Sequence, residues 1–299
     1  MGSAGDYTWR YRLAEHLRAV HRPVDLVGVR TDIWDNVGAS FGCDDYLDPD
    51  FDQDHDAVWG RTLEQTVAEI HQVATQTTPD VYVVMLGTND LALGSSPRRT
   101  AGLMRRFVRQ ARAVTPDADL VLVQPPHAYL PPTKAFGREL VAVARALHRT
   151  DSRVTVAHTQ EGFTDADTWD GVHPNARGEI KIAAGVADAL ARLGIGRRYE
   201  RPLRRVPVGP RVAASVRIAT RHAGVRLRYD SAPGVDREYV WRHDVTSGAP
   251  WQRLADPTSG GTWRSGALTP GHRYTFMLQP AKGRLLGRVR SQPVSAVIP

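Results

Sequence analysis

Three short runs in this chain are apolar without polar alternation: Val81-Tyr82-Val83-Val84-Met85-Leu86, Leu120 to Val123 and Val154 to Ala157. A strand that shows water neither face must be covered on both, and this is how strands of parallel sheets read. The stretches around them repeat with helical period. Trp9, Leu13, Leu17 and Val20 predict a helix over 9–21, and Leu63, Val67, Ile70 and Val73 a second. Leu103, Phe107 and Ala111, then Phe136, Leu140, Ala144 and Leu147, predict two more, and Ile180, Ala183, Ala187 and Leu190 a last one over about 176–193. A further, mostly apolar run, Val24 to Val29, reads as one more buried strand. Strands regularly separated by helices imply an α/β fold: a doubly wound parallel sheet in three α/β/α layers, with ligands beyond the carboxyl ends of the strands.

Beyond residue 196 the pattern changes. Residues 197–210 are basic and punctuated by Pro202, Pro207 and Pro210, as a linker is. Over 211–299 the period moves towards two: Val212 to Ala219, Val225 to Tyr229, Glu238 to Arg242, Tyr274 to Leu278 and Leu286 to Val289 read as short strands of a β-sandwich. Charge divides at the same place, with a net −6 over residues 1–196 and +13 over 197–299. The basic part suits an anionic polymer or the acidic part of the same chain, or is a solvated arginine-rich surface. Basic and aromatic residues do not interleave, which argues against nucleic acid. The single cysteine, Cys43, cannot form an internal disulfide and has no basic neighbour to activate it. No apolar run is long enough to span a bilayer, and the N-terminal residues lack the basic and apolar regions of a signal peptide.

Chemistry gathers in three places. Asp170-Gly171-Val172-His173-Pro174-Asn175 puts a carboxylate three residues before an imidazole in a turn, where the acid can hold one ring nitrogen while the other takes a proton. The same residues also read as an Asp turn before a helix. Gly87-Thr88-Asn89-Asp90 ends a strand, where the Asn89 amide can donate to an oxyanion or simply complete a turn. Gly60 offers a backbone N–H at close approach, or only precedes a helix.

Taken together and in this order, these blocks resemble the SGNH (GDSL-type) hydrolases over about residues 2–195. The resemblance implies a flavodoxin-like fold and a serine ester hydrolase, an acylhydrolase or deacetylase that needs no metal or organic cofactor. It casts Asp170 and His173 as catalytic acid and base, and Asn89 with the Gly60 N–H as the oxyanion hole. The substrate class is a small-molecule or carbohydrate ester. Similarly, Leu268-Thr269-Pro270-Gly271-His272-Arg273-Tyr274 resembles the tyrosine corner of fibronectin type III modules.

One block is absent. The family's nucleophile stands in Gly-Asp-Ser-x-Thr-x-Gly at the end of a first strand that lies inside the sheet, between the second and third. Met1-Gly2-Ser3-Ala4-Gly5-Asp6 resembles the residues on the C-terminal side of that serine. If Gly2 is the block's last glycine, the serine falls four positions before it, and residues 1–299 are expected to hydrolyse weakly or not at all. Ser3 is the alternative nucleophile. A non-catalytic binding protein and an acyltransferase are the alternative functions.

Other residues carry less. Asp48, Asp50, Asp52, Asp54 and Asp56 alternate without the glycine and glutamate of an EF-hand, and read as a solvated loop. His55 and His127 read as polar loop residues. Trp34, Tyr46, Trp59 and Trp169 either line a pocket for the substrate or pack the loops.

Overall fold

The computed structural model describes residues 2–126 and 130–299, so His127 lies outside the described residues. Helix α1 (Trp9–Ala19) opens the chain, with the Thr8 hydroxyl accepting from Tyr11 N–H as its cap. A long loop comes next, containing only a small antiparallel pair, β1 (Ile33–Asp35) and β2 (Ser40–Cys43). Then come α2 (Leu63–Thr77), β3 (Val81–Val84), α3 (Thr88–Ala92), α4 (Pro97–Val114), β4 (Asp119–Val123), α5 (Pro132–Leu147), β5 (Val154–Ala157) and α6 (Ala176–Arg192).

Strands β3, β4 and β5 form a parallel sheet in that order, with Val81 opposite Asp119 and Leu120 opposite Val154. Successive side chains of β4 leave on opposite faces, as pleating requires. Leu120 and Leu122 enter a core with α2, α4 and α5; Val121 and Val123 enter another with α1 and α6. The three-layer arrangement expected from the apolar runs is therefore present.

Val24 to Val29 corrects one expectation. These residues form no strand, and Val24, Val27 and Val29 are 40–48% exposed. A strand needs a neighbour to satisfy its N–H and C=O groups. Among the described residues none pairs with the outer edge of β3, and Val24 to Val27 line a cavity beside that edge instead of joining its ladder. Along that edge runs a cavity of about 790 Å³, lined by Leu13 and Leu17 of α1, Val81 to Leu86, Phe107, Leu190 and Val27.

The second part is a sandwich of two antiparallel sheets. One has the order β10 (Thr262–Arg264), β7 (Gly224–Asp230), β6 (Ser215–Arg221). The other runs β12 (Leu285–Leu286), β11 (Arg273–Lys282), β8 (Arg237–Asp244), β9 (Gln252–Thr258), with β13 (Val294–Val297) also on β11. Val225, Leu227, Val240, Phe276 and Leu278 fill the space between them. Tyr274 packs its buried ring there, and its hydroxyl accepts from Thr269 N–H at 3.4 Å, the geometry implied by the tyrosine corner. The expected strand at Leu286–Val289 shrinks to two residues, while β9, β10 and β13 are additional.

Candidate active site

Asp170 and His173 occupy a tight loop ahead of α6. Thr168 bridges Pro174, and Trp169 N–H donates to His173 O at 2.9 Å, so the loop closes like a small hairpin. Within it, His173 Nδ1–H donates to Asp170 Oδ2 at 2.6 Å. The N–H groups of Val172 and His173 reach Asp170 Oδ1 at 2.9 and 2.7 Å. Burial works to raise the Asp170 carboxyl, but these three donors outweigh it and hold the group below the ordinary carboxylate range. An ionised Asp170 thus fixes both the tautomer and the plane of the imidazole. Nε2 has no hydrogen-bond partner among the described residues, and this is the nitrogen a hydroxyl must reach.

Two tryptophan rings stack against the imidazole. Trp59 stacks on it at 4.1 Å between centroids and Trp169 at 5.4 Å, each 25° from coplanar. Trp34 in turn stacks on Trp59 at 5.2 Å. Two of the four aromatic residues weighed from the sequence therefore contact His173, and a third, Trp34, joins them through Trp59. Tyr46 is elsewhere, buried against Arg10, whose guanidinium donates to its hydroxyl at 2.6 Å.

Gly60 and Asn89 come together with this stack. Gly60 follows Trp59 in a left-handed turn with φ of 76°, and Asn89 Nδ2 donates to Arg61 O at 2.9 Å. The segment 59–61 thus touches His173 through Trp59 and Asn89 through Arg61. Gly87 must be glycine, since a Cβ there would meet the Phe136 ring at 2.6 Å at a φ of 104°. Asp90 accepts from Leu63 and Glu64 N–H, capping α2 and tying the segment to the end of β3.

Ser3 faces a different set of partners. Its hydroxyl donates to Asp6 at 2.8 Å and accepts from Lys282 Nζ at 2.7 Å, and the residue is 2% exposed. His55 is also structural: Nε2–H donates to Asp32 O at 2.6 Å and Nδ1 accepts from Ala57 N–H. Burial is the main cause pushing its pKa down to about 3, so it stays neutral. Among the described residues, no three His, Cys, Asp or Glu side chains gather as a metal cage requires.

Several supporting residues escaped the sequence reading. Asp167, whose side chain is fully buried, binds Arg177 at 2.7 Å and Lys181 at 2.8 Å and holds the loop to α6. A capping box from Thr164 to Asp167 was the signal available. Asn175 caps α6 with its side-chain oxygen and gives its amide to Ala166 and Thr168 carbonyls. From the sandwich, the β11–β12 hairpin braces the same loop. Arg284 N–H donates to Trp169 O at 3.0 Å, and its side chain binds Thr168 and Asp165. Lys282, buried between the two parts, bonds Ser3, Ala4 O and Asp6 and lies 5.2 Å from the centre of the Trp169 ring. Nothing in the sequence marks either residue.

Known proteins share the fold of the α/β part of the chain. A crystal structure of an acetyl esterase mutant with acetate ion is 25% identical, with a TM-score of 0.55, over 64% of this chain and 96% of that one. A carbohydrate esterase family 3 structure from Talaromyces cellulolyticus gives the same values. The family 3 carbohydrate esterase of Clostridium thermocellum, 22% identical with a TM-score of 0.54 over 66% and 92% of the two chains, shares the fold. No curated protein sequence matches the chain. Residues 2–179, more than half of the chain, match the family model described as GDSL-like Lipase/Acylhydrolase, and the protein therefore belongs to that family of ester hydrolases.

Proposed function

We propose that this protein is a serine esterase that removes acyl groups from a carbohydrate by a Ser-His-Asp relay. The observation that carries the reading is the His173–Asp170 pair, with Nδ1 held at 2.6 Å and Nε2 unengaged. In the reaction, Nε2 takes the proton of a serine hydroxyl as it attacks the ester carbonyl and returns it to the leaving alcohol; Asp170 stabilises the imidazolium. Asn89 and the Gly60 N–H receive the oxyanion. The choice of a carbohydrate rests on the 25% identical carbohydrate esterase family 3 structure.

The attacking hydroxyl is not that of Ser3, which is enclosed by Asp6 and Lys282. If Gly2 is the last glycine of the family's Gly-Asp-Ser-x-Thr-x-Gly block, the attacking serine stands four positions before it. Gly2 is well sited for this: its carbonyl accepts from Trp34 N–H, and Trp34 leads through Trp59 to His173. Hydrolysis of p-nitrophenyl acetate and of an acetylated sugar tests the reading. A form carrying Gly-Asp-Ser-x-Thr ahead of Met1 is expected to turn over, and His173→Ala to lower its kcat by roughly 10⁴-fold or more. Residues 1–299 alone are expected to hydrolyse weakly or not at all. Turnover by residues 1–299 that disappears in Ser3→Ala overturns the assignment of the nucleophile. Turnover indifferent to His173→Ala overturns the relay.

A further inference from the structure

The outer face of the sheet β10–β7–β6 is an array of arginines. Strand alternation sends Val225, Leu227 and Tyr229 of β7 into the core and Arg226 and Arg228 outward. Across the ladders Arg217 of β6 is paired with Arg228, and Arg264 of β10 with Arg226. Arg221 lies on the same face of β6, four pairs further along. Like charges directly opposite each other on a sheet are destabilising. None of these five arginines makes an ion pair among the described residues. Three of the five carboxylates of the sandwich are committed elsewhere: Asp236 to Arg237, Asp244 to His272, and Glu238 in the interior with Ser231. Arg226 is half-buried, and its Nε has no hydrogen-bond partner. Its guanidinium is held below its ordinary value, first by Arg221, then by burial, Arg264 and Arg228. A concavity of about 760 Å³ follows the face, lined by Arg217, Arg221, Arg226 and Arg228, with Asp230 as the acid at its border.

We propose that this face binds an acidic polysaccharide, with the arginine forks taking sugar carboxylates bidentately. Adjacent strands about 4.8 Å apart, with outward residues every second position, set the guanidinium groups in a two-dimensional grid suited to a chain with a carboxylate on successive rings. Single-stranded nucleic acid fits poorly, because binding it needs aromatic platforms. The aromatic residues here, Tyr229 and Trp263, face inward, Trp263 against Phe276. The choice of sugar over other polyanions rests on the esterase reading above, but the binding itself does not depend on the relay.

Affinity electrophoresis and calorimetry of the full chain with polygalacturonate, with an uncharged galactan and with duplex and single-stranded DNA provide the test. Polygalacturonate is expected to bind, to weaken roughly tenfold or more as salt rises from about 50 to 200 mM, and to weaken at least as much in the variant Arg217→Gln, Arg226→Gln, Arg228→Gln. That variant is expected to melt no lower than the parent, because like-charge repulsion is relieved. Equal binding by parent and variant, equal binding of the uncharged galactan, or tighter binding of either DNA overturns the proposal. No step of the assay reads ester hydrolysis, so its outcome leaves the esterase reading untouched.

Discussion

The loop that carries Asp170 and His173 and the outer edge of β3 belong to the same α/β unit, yet they are built to opposite standards. The loop is over-determined. Asp167 ties it to α6, Asn175 closes it, and Arg284 and Lys282 hold it from the sandwich. The edge of β3 has no ladder partner among the described residues and borders an apolar cavity of about 790 Å³. Acid–base geometry tolerates little displacement, since an error near 1 Å costs about 100-fold in rate, and the loop has bonds from three directions. A sheet edge tolerates any occupant that completes the ladder. The tightly braced region is thus the loop that carries Asp170 and His173, and the open one is the sheet edge.

Hydrogen exchange breaks or sharpens this contrast most directly. Alternate amides of β3 point away from β4, and they are expected to exchange on the order of 1,000-fold faster than the amides of β4, which is paired on both sides. Equal protection would mean that the edge is covered, and the contrast would fall.

A second expectation concerns a flaw in the braced region. Glu179, near the start of α6, is fully buried, and its Oε2 has no partner. Burial first, then Asp6, raise its pKa from the ordinary 4.5 to about 8, against the pull of Arg12. Between these values the folded state holds a proton that the unfolded chain has released, so stability is full below about pH 4.5 and falls as pH rises towards 8. Denaturant titrations are expected to lose on the order of 4 to 5 kcal/mol across that window, and Glu179→Gln to flatten the slope. A slope unchanged in the variant would place the proton elsewhere.

The smallest of the three effects tests the bracing from the sandwich. A Cβ at Gly283 would sit 2.2 Å from Trp169 O, at a φ of 54°. Gly283→Ala, made in the form that carries the Gly-Asp-Ser block, is expected to displace Trp169 from His173 and to lower kcat roughly 10- to 100-fold, with KM little changed. Unaltered kcat would show that the hairpin merely touches the loop.

Much of this could be read from residue order, because its causes are local. Uninterrupted apolar runs can only be strands covered on both faces, and β3, β4 and β5 lie within one or two residues of the runs that announced them. Asp170 and His173, three apart in a turn, have nowhere to meet but each other. Alternation in Gly224–Asp230 placed arginines on one face of a strand, although not opposite other arginines. Val24 to Val29 failed because a strand is not a local object: its hydrogen bonds belong to a neighbour. Only the tertiary structure decided that Trp59 and Trp169 stack against His173, that Ser3 is locked by Lys282 from 279 positions away, and that a sandwich hairpin braces the loop carrying Asp170 and His173. Such contacts depend on how separate elements pack, and a one-dimensional pattern carries periodicity and spacing but not the distance between two surfaces.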